Sequence, residues 1–248
     1  SQEDYPADKV VNSFGVQDDF LYDYAIPVLN QRAATGQPFF ATLLSISNHP
    51  PYVIPPFFHP KTSEPETQIV EYADWALRQF FEEARKQPWF DNTIFVLEGD
   101  HGKLVGDAEC ELPESYNHIP LMIYSSRIQP EEKTTFGGQV DIQPTILGLL
   151  NIDYLQNNFG VDLLKEERPC MFYTADNMVV GRNDTLLYLY NYETQQELTY
   201  DIGNGKLNAV PMDDSFLPLK EYSFSMLQSA EFLVKHGKTL NSIPFTQQ

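Results

Sequence analysis

The segment Thr93-Ile94-Phe95-Val96-Leu97-Glu98-Gly99-Asp100-His101-Gly102 constrains what this chain can fold into more than any other. Its apolar residues do not alternate with polar ones, which predicts a strand buried on both faces, inside a parallel sheet covered by helices. The run stops abruptly on a carboxylate, an imidazole and glycines. In open α/β sheets, ligands bind beyond the carboxyl ends of strands, where Asp100 and His101 fall, while Gly99 and Gly102 let backbone and ligand approach. An adjacent Asp and His offer a hard oxygen and a borderline nitrogen, a donor pair suited to Zn or Mn rather than to Ca or Mg. The same residues also suit a plain turn, with Asp100 capping the next segment and His101 satisfied by hydrogen bonds.

A second apolar run, Phe39-Phe40-Ala41-Thr42-Leu43-Leu44-Ser45-Ile46, predicts another central strand, and it ends on Ser47-Asn48-His49-Pro50-Pro51. His49 therefore holds the same kind of position as His101, followed by prolines that stiffen the loop. Ordinary hydrogen bonding to a neighbouring carbonyl would explain it equally well. Between the two runs, Ile69, Ala73, Ala76, Leu77, Phe80 and Ala84 fall on one face of a helix over 65–87, closed by Pro88. Strand, long helix and strand make a βαβ unit, whose parallel strands end on one edge. If those strands are neighbours, His49, Asp100 and His101 share a crevice. An earlier helix is expected over 18–32, opening at Asp18.

After Gly102 the chain carries Lys103, Asp107, Glu109, Glu111 and Glu114, read as a solvated acidic loop, and then His118 before a short strand over 121–124. His118 is a weaker metal-ligand candidate, because parallel strands would put it at the opposite edge unless the loop folds back. Asp141 is expected to cap a helix through Pro144-Thr145-Ile146. Beyond Asn151 the runs 171–173, 178–180, 186–190 and 197–200, separated by turn residues, predict an antiparallel meander. A last helix follows over 219–235. The division implied is 1–152 for an α/β core and 153–248 for a small antiparallel sheet with one helix.

With 35 acidic against 16 basic residues, a net charge of -19 and a pI near 4.4, the chain repels polyphosphate, so nucleic acid is excluded as a partner. Cys110 and Cys170 make neither a disulfide framework nor a metal-binding spacing. No apolar run is long enough to span a bilayer, and the visible residues leave the compartment open.

Taken in order, Ser47-Asn48-His49-Pro50-Pro51, Tyr72-Ala73-Asp74, Asp91-Asn92-Thr93, Gly99-Asp100-His101-Gly102, Gly138-Gln139-Val140-Asp141 and Pro144-Thr145-Ile146 resemble the lipoteichoic acid synthase and phosphoglycerol transferase branch of the sulfatase and alkaline phosphatase superfamily. The resemblance implies an α/β fold with a parallel-rich sheet sandwiched by helices, its N-terminal part missing, followed by a small C-terminal antiparallel sheet plus helix. It implies that Asp100 and His101 bind a divalent metal, Mn or Zn, and that His49 contacts the phosphate or sulfate of the substrate. That substrate is expected to be lipid-linked phosphoglycerol or a sulfated or phosphorylated glycan. A sulfatase, or a noncatalytic module holding an anionic headgroup, is the competing expectation.

The family's nucleophile is a Thr, or a Ser or Cys converted to formylglycine, set after the first strand of the domain. No such strand precedes Phe14, and neither Thr35 nor Thr42 is suitably placed. The expectation is therefore a C-terminal part of a catalytic domain, inactive alone, whose exposed sheet edge associates with itself or with the missing N-terminal half. Upstream transmembrane segments and an extracytoplasmic, periplasmic or outer-face location are implied likewise.

Overall fold

The computed structural model describes residues 5–104, 106–203 and 205–238. The chain is α/β and falls into two compact units, Ser1–Leu97 with Leu121–Gln129, and Glu98–Pro120 with Pro130–Gln248.

The first unit is built on two helices, α1 (Asp18–Ala33) and α2 (Pro65–Ala84). In α2 the buried residues Ile69, Tyr72, Ala76, Phe80 and Ala84 recur every three or four positions, and Pro65 sits in the first turn, where its missing N–H costs nothing. Phe80 and Ala84 meet Ala25 and Leu29 of α1, and Trp89 and Phe90 close this core. Asn30 braces it by accepting from Trp89 Nε1 at 2.6 Å and donating to Gln87 Oε1 at 3.0 Å. A short hairpin precedes α1, formed by β1 (Val10–Asn12) and β2 (Gly15–Val16). The polar composition before Phe14 concealed it.

Strand β3 (Phe95–Glu98) pairs with β4 (Leu121–Tyr124) in a two-stranded sheet. Phe95 packs on Phe81 and Phe90, with ring centroids 5.0 and 5.3 Å apart. Here the structure departs from expectation, since β3 is half-buried rather than covered on both faces. The second apolar run, Phe39 to Ile46, joins no ladder among the described residues and is exposed through Leu44. A strand is defined by its partner: β-propensity alone, without a neighbouring ladder, does not make one.

The second unit contains α3 (Ile142–Leu149) and a five-stranded antiparallel sheet in the order β5 (Met171–Ala175), β6 (Met178–Arg182), β7 (Leu186–Asn191), β8 (Gln196–Gly203) and β9 (Lys206–Ala209). The strands follow one another in sequence, so each pairs with its chain neighbour through a tight turn. The period of two sorts β7 cleanly. Leu187 and Leu189 face a core with Val180, Met178 and Tyr200, whereas Tyr188 faces Phe216 and Leu219 at the start of α4 (Leu217–Lys235). Helix α4 lies close on β6: a Cβ at Gly181 would stand 2.6 Å from Ser223 Oγ, and that hydroxyl donates to Val180 O at 3.2 Å.

Candidate functional site

The backbone of the turn after β3 is held on both sides. Gly102 N donates to Tyr116 O at 2.8 Å, and a Cβ at Gly102 would lie 1.9 Å from Ser115 O, so no side chain fits there. On the other side, Gln139 Nε2 donates to Asp100 O at 3.0 Å and to Gly99 O at 3.3 Å. Between these two clamps the side chains of Asp100 and His101 are exposed. His101 Nδ1 lies 2.8 Å from Gly102 O, an acceptor only, which places the proton on Nδ1 and leaves the Nε2 lone pair outward. Asp100 Oδ1 accepts from His101 N at 3.0 Å, and Oδ2 lies 3.8 Å from His101 Nε2.

Behind Gln139 stands a buried ion pair. Asp141 accepts from Gly138 N at 2.8 Å, Val161 N at 2.8 Å and Arg168 Nε at 2.9 to 3.0 Å, with the Asp141 side chain fully buried and Arg168 at 4% exposure. Burial alone would lower the Arg168 pKa, but the hydrogen bonds and charge of Asp141 outweigh it and the net shift is upward. Arg168 also donates to Phe159 O and to Tyr222 Oη, the latter at 3.3 Å. Asp141 therefore does not cap α3 with its side chain, as the sequence suggested. It closes the turn over 138–141 and anchors that turn to Arg168.

The loop between Gly102 and His118, expected to be merely solvated, is tied to the sheet. Leu112 is buried in the core with Val180, Leu187 and Leu189. Glu114 pairs with Arg182, and Tyr200 donates to Glu111. Burial and then the Glu111 carboxylate push the Tyr200 phenol well above its ordinary pKa. The antiparallel sheet carries none of the expected site residues but supports the segment that follows them.

His49 belongs to the first unit. Asp18 is fully buried, and its Oδ1 accepts from Ile46 N and Ser47 N, each at 3.0 Å, while Ser47 Oγ donates to Gln17 Oε1 at 2.7 Å. This network fixes the turn from which His49 projects. The imidazole lies against Phe14, centroids 4.0 Å apart, with Nδ1 2.7 Å from Pro50 O. Its Nε2 is left for another partner. Sequence reasoning took Asp18 for a helix start; α1 does begin there, but with Gln17 as N-cap. The recurring pair Asp18 and Ser47, remote in sequence, gave no signal of their contact.

Can the second-unit turn hold a divalent ion? Metal bonds of about 2.0–2.2 Å to carboxylate and imidazole span the 3.8 Å between Asp100 Oδ2 and His101 Nε2, so both atoms can reach one ion. The tautomer of His101 and the mixed oxygen and nitrogen donors suit Mn or Zn. Among the described residues no group of three or more His, Cys, Asp or Glu side chains forms a metal site, so the pair supplies two donors and no more. His118 is exposed and does not join them; its amide donates to Glu114 O at 2.8 Å.

The α/β fold marks a class of protein. The family model described as Sulfatase matches residues 1–152, and the chain belongs to that family. It is 27% identical over 221 residues to lipoteichoic acid synthase 1 of Bacillus subtilis, covering 81% of this chain and 33% of that protein. It is 29% identical over 182 residues to the lipoteichoic acid synthase of Staphylococcus saprophyticus, covering 63% and 27%. The chain thus spans a third or less of the length of these relatives. Among solved structures, a protein of the alkaline phosphatase superfamily from Vibrio parahaemolyticus matches 93% of the chain and 58% of its own, with a TM-score of 0.79 and 25% identity. The lipoteichoic acid synthase LtaP from Listeria monocytogenes matches 100% and 63%, with a TM-score of 0.74 and 22% identity, a likeness of fold.

Proposed function

We propose that this chain is part of a divalent-metal-dependent enzyme that transfers or hydrolyses phosphate esters, with lipid-linked phosphoglycerol as its substrate class, at the outer face of a membrane. The observation that carries this reading is the rigidly held Asp100 and His101 pair in a chain similar over most of its length to lipoteichoic acid synthases. No helix among the described residues is long and apolar enough to cross a membrane, so anchoring would come from elsewhere in a longer protein.

Asp100 Oδ2 and His101 Nε2 would hold Mn or Zn. Such an ion, when bound, withdraws charge from phosphoryl oxygens and lowers the pKa of a hydroxyl nucleophile. His49, its ring held in place by Pro50 O through Nδ1, would turn Nε2 towards a phosphate oxygen of the substrate. The exposed run from Phe39 to Leu44 would take its ladder partner from the remainder of a full-length domain, consistent with solved relatives of which the chain covers 58% and 63%.

Titration calorimetry with Mn and Zn tests the reading. Saturable uptake by the wild type, lost in Asp100→Ala and in His101→Ala, is the expected result. Glycerol phosphate binding that needs His49 yet survives chelation of all metal would overturn it in favour of a noncatalytic headgroup-binding module. In a full-length protein, turnover of phosphate rather than sulfate esters separates a transferase from a sulfatase.

A further inference from the structure

We infer that Gln139 is a positioning residue for the Asp100 and His101 donor pair, held in place for that task by the buried Asp141 and Arg168 pair. The inference rests on the metal-binding reading above and adds a residue that touches neither ion nor substrate. Gln139 lies in a short turn, Gln139–Asp141, whose only well-buried side chain is Asp141. Its own amide is exposed and reaches back across some forty positions to the carbonyls of Gly99 and Asp100. A carbonyl only accepts, so the carboxamide must present its N–H to both.

The chain of support has a clear order. Arg168 and the Val161 amide fix the Asp141 carboxylate; Asp141 fixes the Gly138 amide; and Gln139, one residue on, grips the peptide group that bears Asp100. Gly102 is held independently by Tyr116 O and by the close approach of Ser115. The two donors thus lie between one side-chain clamp and one backbone clamp. Removing Gln139 frees the Gly99–Asp100 end alone, so Asp100 Oδ2 is no longer held at its 3.8 Å separation from His101 Nε2. Outer contacts that orient metal ligands have this effect without becoming ligands themselves.

The test compares wild type, Gln139→Met and Gln139→Glu in the complete chain. Both substitutions keep the length of the side chain and remove the N–H donor, and the exposed position leaves the melting temperature of metal-free protein unchanged. Two readouts are taken: amide exchange at His101 in metal-free protein by nuclear magnetic resonance, with the independently held Gly102 amide as the unchanged internal reference, and Mn affinity by calorimetry. Expected are faster exchange and an Mn dissociation constant raised about three- to tenfold in both variants, below the larger losses seen when a side chain bonded directly to a ligand is removed. Unchanged exchange overturns the inference, whatever the affinity does. Faster exchange in a wild-type background that takes up no Mn supports the clamp and separately overturns the metal reading.

Discussion

Two apolar regions that look alike in sequence behave in opposite ways. Leu186 to Tyr190 and Phe39 to Leu44 are both rich in large hydrophobic residues, yet Leu187, Tyr188 and Leu189 are essentially buried while Phe40 is 86% exposed and Leu44 71%. The first is β7, hydrogen-bonded to a strand on either side, with both partners a few residues away along the chain. The second has no ladder among the described residues. Local hairpins satisfy their own backbone, whereas a run with no ladder partner leaves its N–H and C=O groups to water. Burial therefore follows from having a ladder partner, not from hydrophobicity alone.

The comparison can be broken at several points. Arg168→Ala should have the largest effect: it leaves the Asp141 carboxylate buried and unpaired, and loss of one partner of such a pair costs about 3–5 kcal/mol. Chemical denaturation should show the second unit unfolding at markedly lower denaturant. Leu189→Ala, which opens a cavity between Leu112 and the sheet, should cost about 2–5 kcal/mol by the same measurement.

Alkaline pH should act on the first unit through Tyr22. Burial, and then the charge of Asp18, push this phenol from 10.0 to about 12. The folded protein holds that proton more tightly than the unfolded chain, so its stabilising effect is complete below pH about 10 and is lost as the pH climbs through about 12. Tyr22→Phe should flatten this dependence, by at most about 2–3 kcal/mol, when stability is followed between those limits.

The smallest change in stability belongs to the double variant Phe40→Ser with Leu44→Ser, expected within about 0.5 kcal/mol because neither side chain is packed. The same variant should suppress concentration-dependent association measured by light scattering, since exposed apolar strands pair with one another. Association undiminished in that variant would show that the contrast between the two regions has no bearing on self-contact.

Much of the fold was legible because it is local. The spacing of Ile69, Ala76, Phe80 and Ala84 announces α2, and the short runs beyond 170, separated by turn residues, announce the meander, although β9 escaped notice because Lys206-Leu207-Asn208-Ala209 carries a single large apolar residue. The family resemblance, carried by short motifs in a fixed order, agrees with the match over residues 1–152. What could not be read is long-range and polar. Asp18 beneath Ser47, Arg168 beneath Asp141 and Gln139 across Gly99 and Asp100 join residues 20 to 40 positions apart through hydrogen bonds that leave no periodic trace. Likewise, nothing in the acidic composition after Gly102 reveals that Leu112 would be drawn into a core.

Arg168 has a consequence for anyone who maps this protein by mutation. One guanidinium ties together Asp141, the Phe159 carbonyl and Tyr222 of the last helix, three segments well separated in sequence. A screen that scores activity alone would rank it beside Asp100 and His101 and misread a keystone as a contact residue. Scoring abundance in parallel would tell the two apart, because cells clear a protein that has lost its keystone and retain one that has merely lost an exposed side chain.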